Sequence, residues 1–122
     1  MAKILVVEDS SDMRQMMRDL LGTLGHEVVE AADGLEGVIV ALRTHPDLII
    51  LDLMMPLIPG GSFLDFKHDT PGIQNIPVLI VSAHSEAHEV ARKHGAEGWM
   101  TKPVRILELS NRITAMLSVE HD

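Results

Sequence analysis

The sequence predicts an α/β domain, a parallel β-sheet with helices on both faces. Two observations carry this. Short apolar runs fall at residues 4–7, 28–31, 48–51 and 78–81, with a weaker one at 98–100, and four of the five are rich in Val, Ile and Leu. Strands covered on both faces read in this way. Between the runs lie segments with helical spacing, so strand and helix alternate five times.

Each helix has its own local signal. In the first, Met13, Met16, Met17, Leu20, Leu21 and Leu24 form an apolar stripe, read as core with no cofactor implied. Arg14, Gln15, Arg18 and Asp19 fall off it, and Gly25 closes it. The second opens at Asp33, with Glu36 three residues on, a capping-box pattern. It runs through Leu35, Val38, Ile39 and Leu42 and stops before Pro46. A short third helix is expected around residues 62–68 and a fourth over 85–94. The last opens after Pro103 and carries Ile106, Leu109, Ile113, Met116 and Leu117.

The chain has 122 residues, which predicts one domain spanning 1–122. It is 46% hydrophobic, enough for a substantial core, yet holds only Trp99, Phe63 and Phe66 as aromatics. Aliphatic residues and eight Met must fill the interior. A net charge of −8 argues against a nucleic-acid backbone binder. It suits an acidic cation site or a basic partner. With no Cys there is neither a disulfide framework nor thiolate metal ligation. No apolar stretch approaches the ~20 residues of a membrane span. The first strand begins at once after Met1-Ala2-Lys3, so a cytoplasmic protein is the expectation.

Right-handed crossovers leave few topologies for five such units. The flavodoxin-like, doubly wound order 2-1-3-4-5 with five helices is the prediction. Ligands then bind at the carboxyl ends of the strands, near the switch between strands 1 and 3. Strand 1 ends in Glu8-Asp9, strand 3 in Asp52, strand 4 in Ser82 and strand 5 in Met100-Thr101-Lys102. Neighbouring strands lie ~4.8 Å apart, and a lysine side chain can bridge most of the ~10 Å from strand 5 to strand 3.

Three carboxylates in one pocket need compensation. Mg²⁺, a hard cation with oxygen ligands, answers part of that charge, and Lys102 answers the rest. Asp52 beside Mg²⁺, an ammonium and a hydroxyl has the groups needed to take up a phosphoryl as an acyl phosphate. The plainer reading of Asp52, a hydrogen-bonded carboxylate without chemistry, does not account for its company. Asp33 reads only as a helix cap. His84 and His88, four apart, have metal-ligand spacing but no third ligand close in sequence, and read as a solvated helix face.

The segments "ILVVEDS", "LIILDLMMP", "LIVSAH" and "GAEGWMTKP" together resemble the receiver domain of two-component response regulators, over nearly the whole chain. The resemblance implies Asp52 as phosphoacceptor, Asp9 as direct metal ligand and Glu8 as a ligand through water. It implies the Met54 backbone carbonyl as a further ligand, with Mn²⁺ as a substitute for Mg²⁺. Ser82 matches the switch hydroxyl, Lys102 the family's lysine, and Gly60 the glycine after the phosphoacceptor. The Lys102–Pro103 bond would be cis.

Trp99 stands where the family carries Tyr or Phe. The resemblance makes it the switch aromatic; the plainer reading is a half-exposed ring packed on helix 4. Met54 and His84 match positions that tune phosphoryl lifetime, and Pro59 replaces a common Asp. The implied partners are a histidine kinase or histidine phosphotransfer protein upstream, and a protein target or a missing C-terminal output domain downstream. The face of helix 4, strand 5 and helix 5 would carry the signal and a homodimer. Met1 sits where a start is expected, and a carboxyl-terminal truncation stays open.

Two other classes share parts of this pattern. Phosphatases of the haloacid dehalogenase type also use a strand-end Asp with Mg²⁺. They carry a second acid two residues later, where this chain has Met54. A flavodoxin-like cofactor binder shares the fold, but this chain has neither the Ser/Thr-rich phosphate loop after strand 1 nor the aromatics that would sandwich a flavin. Fold alone does not separate these, so the site decides.

Overall fold

A computed structural model describes residues 2–52, 60–82 and 86–119. The elements run β1 (Lys3–Val7), α1 (Ser11–Thr23), β2 (Glu27–Ala31), α2 (Gly34–Thr44), β3 (Leu48–Asp52), α3 (Gly60–His68), β4 (Val78–Ser82), α4 (Glu86–His94), β5 (Gly98–Thr101) and α5 (Ile106–Val119). All five strands pair in parallel, in the order β2-β1-β3-β4-β5. This is the predicted doubly wound sheet. The Lys102–Pro103 peptide is cis, as the resemblance implied.

The strand pleat divides the core in two. Ile4, Val6, Leu48, Ile50, Leu79 and Val81 face α1 and α5, meeting Met17, Leu21, Leu109 and Ile113. Leu5, Val7, Ile49, Leu51, Val78 and Ile80 face the other way, onto Ala41, Phe63, Leu64 and Ala91 of α2, α3 and α4. β3 and β4 are buried at every position, as central parallel strands should be.

The local signals act as expected at α1 and α2. Ser10 caps α1, its Oγ accepting from the Met13 amide at 3.3 Å. Asp33 caps α2, its Oδ1 accepting from the Glu36 amide at 2.8 Å. α2 ends at His45, which adopts a left-handed φ of 48° before Pro46.

Three stripes need correction. Of the four apolar residues that mark α2 in the sequence, Val38 packs against the core, whereas Leu35, Ile39 and Leu42 are 66%, 42% and 40% exposed. The buried residues are Gly34, Gly37 and Ala41. A Cβ on Gly37 would lie 3.0 Å from both Phe63 Cε1 and Val7 Cγ2. The helix therefore approaches the sheet along its small residues; Val38 and Val40 pack against the core beside them, and Leu35, Ile39 and Leu42 turn outward. In α1, Met17 and Leu21 carry the core while Met16 is exposed. In α5, Leu109 and Ile113 do so while Ile106 is exposed. Helix 3 opens at Gly60, two residues earlier than expected.

Candidate functional site

The carboxyl ends of the central strands gather the predicted polar residues. β1 pairs with β3 up to Val7 opposite Leu51, so Glu8 and Asp52 stand side by side just beyond. The Glu8 amide extends the β1–β2 ladder by one bond, donating to Ala31 O at 3.0 Å. Both acids are buried, while Asp9 is exposed.

On the other side, Ser82 ends β4 opposite Thr101, fully buried. The Lys102 amide donates to Ser82 O at 2.8 Å, which ties the lysine's backbone to the strand carrying the hydroxyl. From there the Lys102 side chain reaches Asp52, with Nζ 3.0 Å from Oδ2. The expected bridge across strand β4 is present.

The electrostatics follow from crowding. Burial first, then the neighbouring Asp52 and Asp9 side chains, push the Glu8 carboxyl up to about 8 from its ordinary 4.5. The Ser10 amide opposes this by donating to Glu8 Oε2 at 3.0 Å. A carboxyl that clings to its proton beside two other acids is short of positive charge.

That donor set fits Mg²⁺. The oxygens are hard, and the shortage of positive charge at Glu8 is one a divalent cation would relieve. Among the described residues no three acidic or imidazole groups close into a cage. Mg²⁺ takes only one or two carboxylates and keeps several waters, so an open acidic corner suits it. Met54, whose carbonyl was expected to contribute, lies outside the described residues, as do Pro59 and His84.

Trp99 is half-buried on β5, in register with Ile80. The pleat places Ser82, two residues beyond Ile80, on the same face of the sheet as Trp99. The indole stacks on His88 of α4, with centroids 4.8 Å apart and planes 25° from parallel. Arg112 of α5 lies 5.9 Å from its centroid. The packing of Trp99 on helix 4 is thus seen. The solvated face expected for His88 needs one correction: the residue is exposed, but its ring is engaged.

Sequence reasoning missed a second set of charges. Arg14, which falls off the apolar stripe in the sequence, is mostly buried and turned back onto the β1–α1 loop. Its Nη1 donates to Glu8 O at 2.6 Å and to Asp9 O at 3.3 Å. Glu30 on β2 receives Arg14 Nε at 3.3 Å and Arg18 Nη1 at 2.7 Å. One signal was available. A cation in the first turn of a helix opposes the helix dipole and asks for a local reason.

With this geometry in hand, the comparisons are specific. The pattern of the response regulator receiver domain matches residues 4–114, and the chain belongs to that family. A probable transcriptional regulator ycf27 from Porphyridium aerugineum is 32% identical over 118 residues, 94% of this chain and 48% of the relative. The polar-differentiation response regulator DivK of Brucella ovis is 29% identical over 116 residues, covering 93% of this chain and 94% of the relative. The chain thus spans about half the length of the first and nearly all of the second. Among solved structures, the Vibrio cholerae chemotaxis protein CheY4 aligns with a TM-score of 0.87 at 32% identity, over 95% of this chain and 98% of that one. The receiver domain of the Pseudomonas aeruginosa sensor histidine kinase PA1611 shares the fold, with a TM-score of 0.87 at 24% identity over 96% and 98% of the two chains. That structure holds a magnesium ion in its active-site cleft.

Proposed function

We propose that this chain, as a single receiver domain over residues 1–122, is a phosphorylation-controlled switch with Asp52 as phosphoacceptor. The observation that carries the proposal is the contact of Lys102 Nζ with Asp52 Oδ2 at 3.0 Å, in a corner shared with Glu8.

The donor is the phosphohistidine of a histidine kinase or phosphotransfer protein. An Asp52 oxygen attacks phosphorus, the P–N bond breaks, and the imidazole leaves with a proton. The product is an acyl phosphate. Mg²⁺, or Mn²⁺ in its place, would be held by Asp9 and Asp52, by Glu8 through water and by the Met54 carbonyl, and would neutralise charge on the transferring oxygens. Lys102 supplies the second cation. Ser82 donates its hydroxyl to the new phosphoryl oxygens, and Trp99, on the same sheet face, follows that shift. The surface of α4, β5 and α5 then controls a downstream protein and serves as a homodimer face. Water slowly returns the carboxylate, so the protein resets itself without being a conventional enzyme.

Incubation with acetyl phosphate and Mg²⁺, followed by intact mass measurement, tests this. The wild type should gain one labile phosphoryl and Asp52→Asn none. A folded wild type that gains nothing, or that turns over a generic phosphomonoester, overturns the proposal.

A further inference from the structure

Arg14 occupies the first turn of α1, where the helix dipole works against a cation. Helical side chains lean toward the amino end, and this one folds back over the cap. Its guanidinium spans three oxygens: the Glu8 and Asp9 carbonyls at 2.6 and 3.3 Å, and Glu30 Oε1 at 3.3 Å. The side chain is only 19% exposed. Glu30 is itself held on its other oxygen by Arg18. A strut therefore runs from edge strand β2, through Glu30 and Arg14, to the backbone of the two acids that open the site.

We infer that Arg14, braced by Glu30, is a positioning residue for the cation site. It fixes the peptide planes of Glu8 and Asp9, and hence the direction of both carboxylates, without touching the cation. The inference rests on the Mg²⁺-dependent phosphoacceptor reading and adds the residues that set cation affinity. Groups that orient metal ligands typically change affinity by about 10–100-fold when removed.

Charge alone predicts the opposite sign. Deleting a cation beside three acids would tighten Mg²⁺ binding, whereas loss of positioning weakens it. Calorimetric titration of MgCl₂ into the full chain separates the two. Arg14→Gln should bind about 10-fold more weakly, and Glu30→Gln should lose less. The double variant should be no weaker than Arg14→Gln alone, because the two act through one strut. Arg14→Lys, a point donor without the planar fork, should recover part of the loss. Arg18 reaches, among the described residues, Glu30 and not the Glu8–Asp9 backbone, so Arg18→Gln should lose no more than Glu30→Gln.

Melting in EDTA checks that each variant folds. If Arg14→Gln does not, Glu30→Gln and Arg14→Lys still decide the question. Unchanged or tighter binding in folded Arg14→Gln, or additive losses in the double variant, overturns the strut. A wild type that binds no Mg²⁺ overturns the phosphoacceptor reading with it. A wild type that binds Mg²⁺ and takes up phosphoryl while the variants match it overturns the strut alone.

Discussion

At the scale of single residues, Lys102 is where the proposed function can be split into cation binding and phosphoryl transfer. Its ammonium touches Asp52 in the free protein, so it offsets the same negative charge that a cation would. Removing it should make the corner more attractive to Mg²⁺. Under the proposed function the same removal would take a positive donor from the transferring phosphoryl, and one such donor is commonly worth about 10²–10³ in rate. Lys102→Met should therefore bind Mg²⁺ at least as tightly as wild type, by titration, yet take up phosphoryl from acetyl phosphate about 100-fold more slowly. Parallel losses in both measurements would show that the lysine shapes the pocket and does not serve transfer. The acids, the hydroxyl and the lysine were all legible in the chain, because each terminates an apolar run and parallel strands bring such ends together. Arg14 and Glu30 were not. A charged residue off the apolar stripe usually faces water, and only the fold shows that β2 stands beside the first turn of α1.

At the scale of elements, the strands were legible because β3 and β4 are continuous in Val, Ile, Leu and little else. Burial of both faces leaves no other pattern. α2 was misread for a reason periodicity does not contain. The apolar residues expected along it were Leu35, Val38, Ile39 and Leu42, but closeness of approach decided the inward face, which Gly34, Gly37 and Ala41 line with Val38 and Val40 packed alongside. Two glycine substitutions should accordingly behave oppositely. A Cβ added at Gly22 in α1 would meet nothing within 4 Å, so Gly22→Ala should gain up to about 0.5–1 kcal/mol from helix propensity. Gly37→Ala gains the same propensity but presses on Phe63 and Val7 at 3.0 Å. Overpacking of this kind costs about 1–3 kcal/mol, so the net effect should be a loss of about 1 kcal/mol. Urea unfolding of the two variants against wild type measures both signs in one experiment. A stabilising Gly37→Ala would mean that α2 can lift from the sheet at little cost.

At the scale of the whole molecule, the site works against the fold that holds it. A chain of net charge −8 places Glu8, Asp9 and Asp52 at one corner, and burial first, then those neighbours, keep the Glu8 proton up to about 8. The sign follows from proton counting. Between 4.5 and about 8 the folded protein holds a proton on Glu8 that the unfolded chain releases. Stability from this group therefore falls as pH rises through that window. In the proposed site a divalent cation would replace the proton, so its benefit should be larger at pH 8 than at pH 6. Ligand at 100 times its Kd adds about 2.7 kcal/mol, a shift of several degrees in melting temperature for a domain of this size. Glu8→Gln keeps an oxygen for the Ser10 amide and removes the charge. In EDTA at pH 8 it should melt higher than wild type, and added MgCl₂ should raise its midpoint less. Sodium chloride at matched ionic strength separates cation binding from simple screening. Equal Mg²⁺ gains in both proteins, or a lower melting point for Glu8→Gln in EDTA, would mean that the acids are reconciled by the fold itself and that no cation is needed to relieve them.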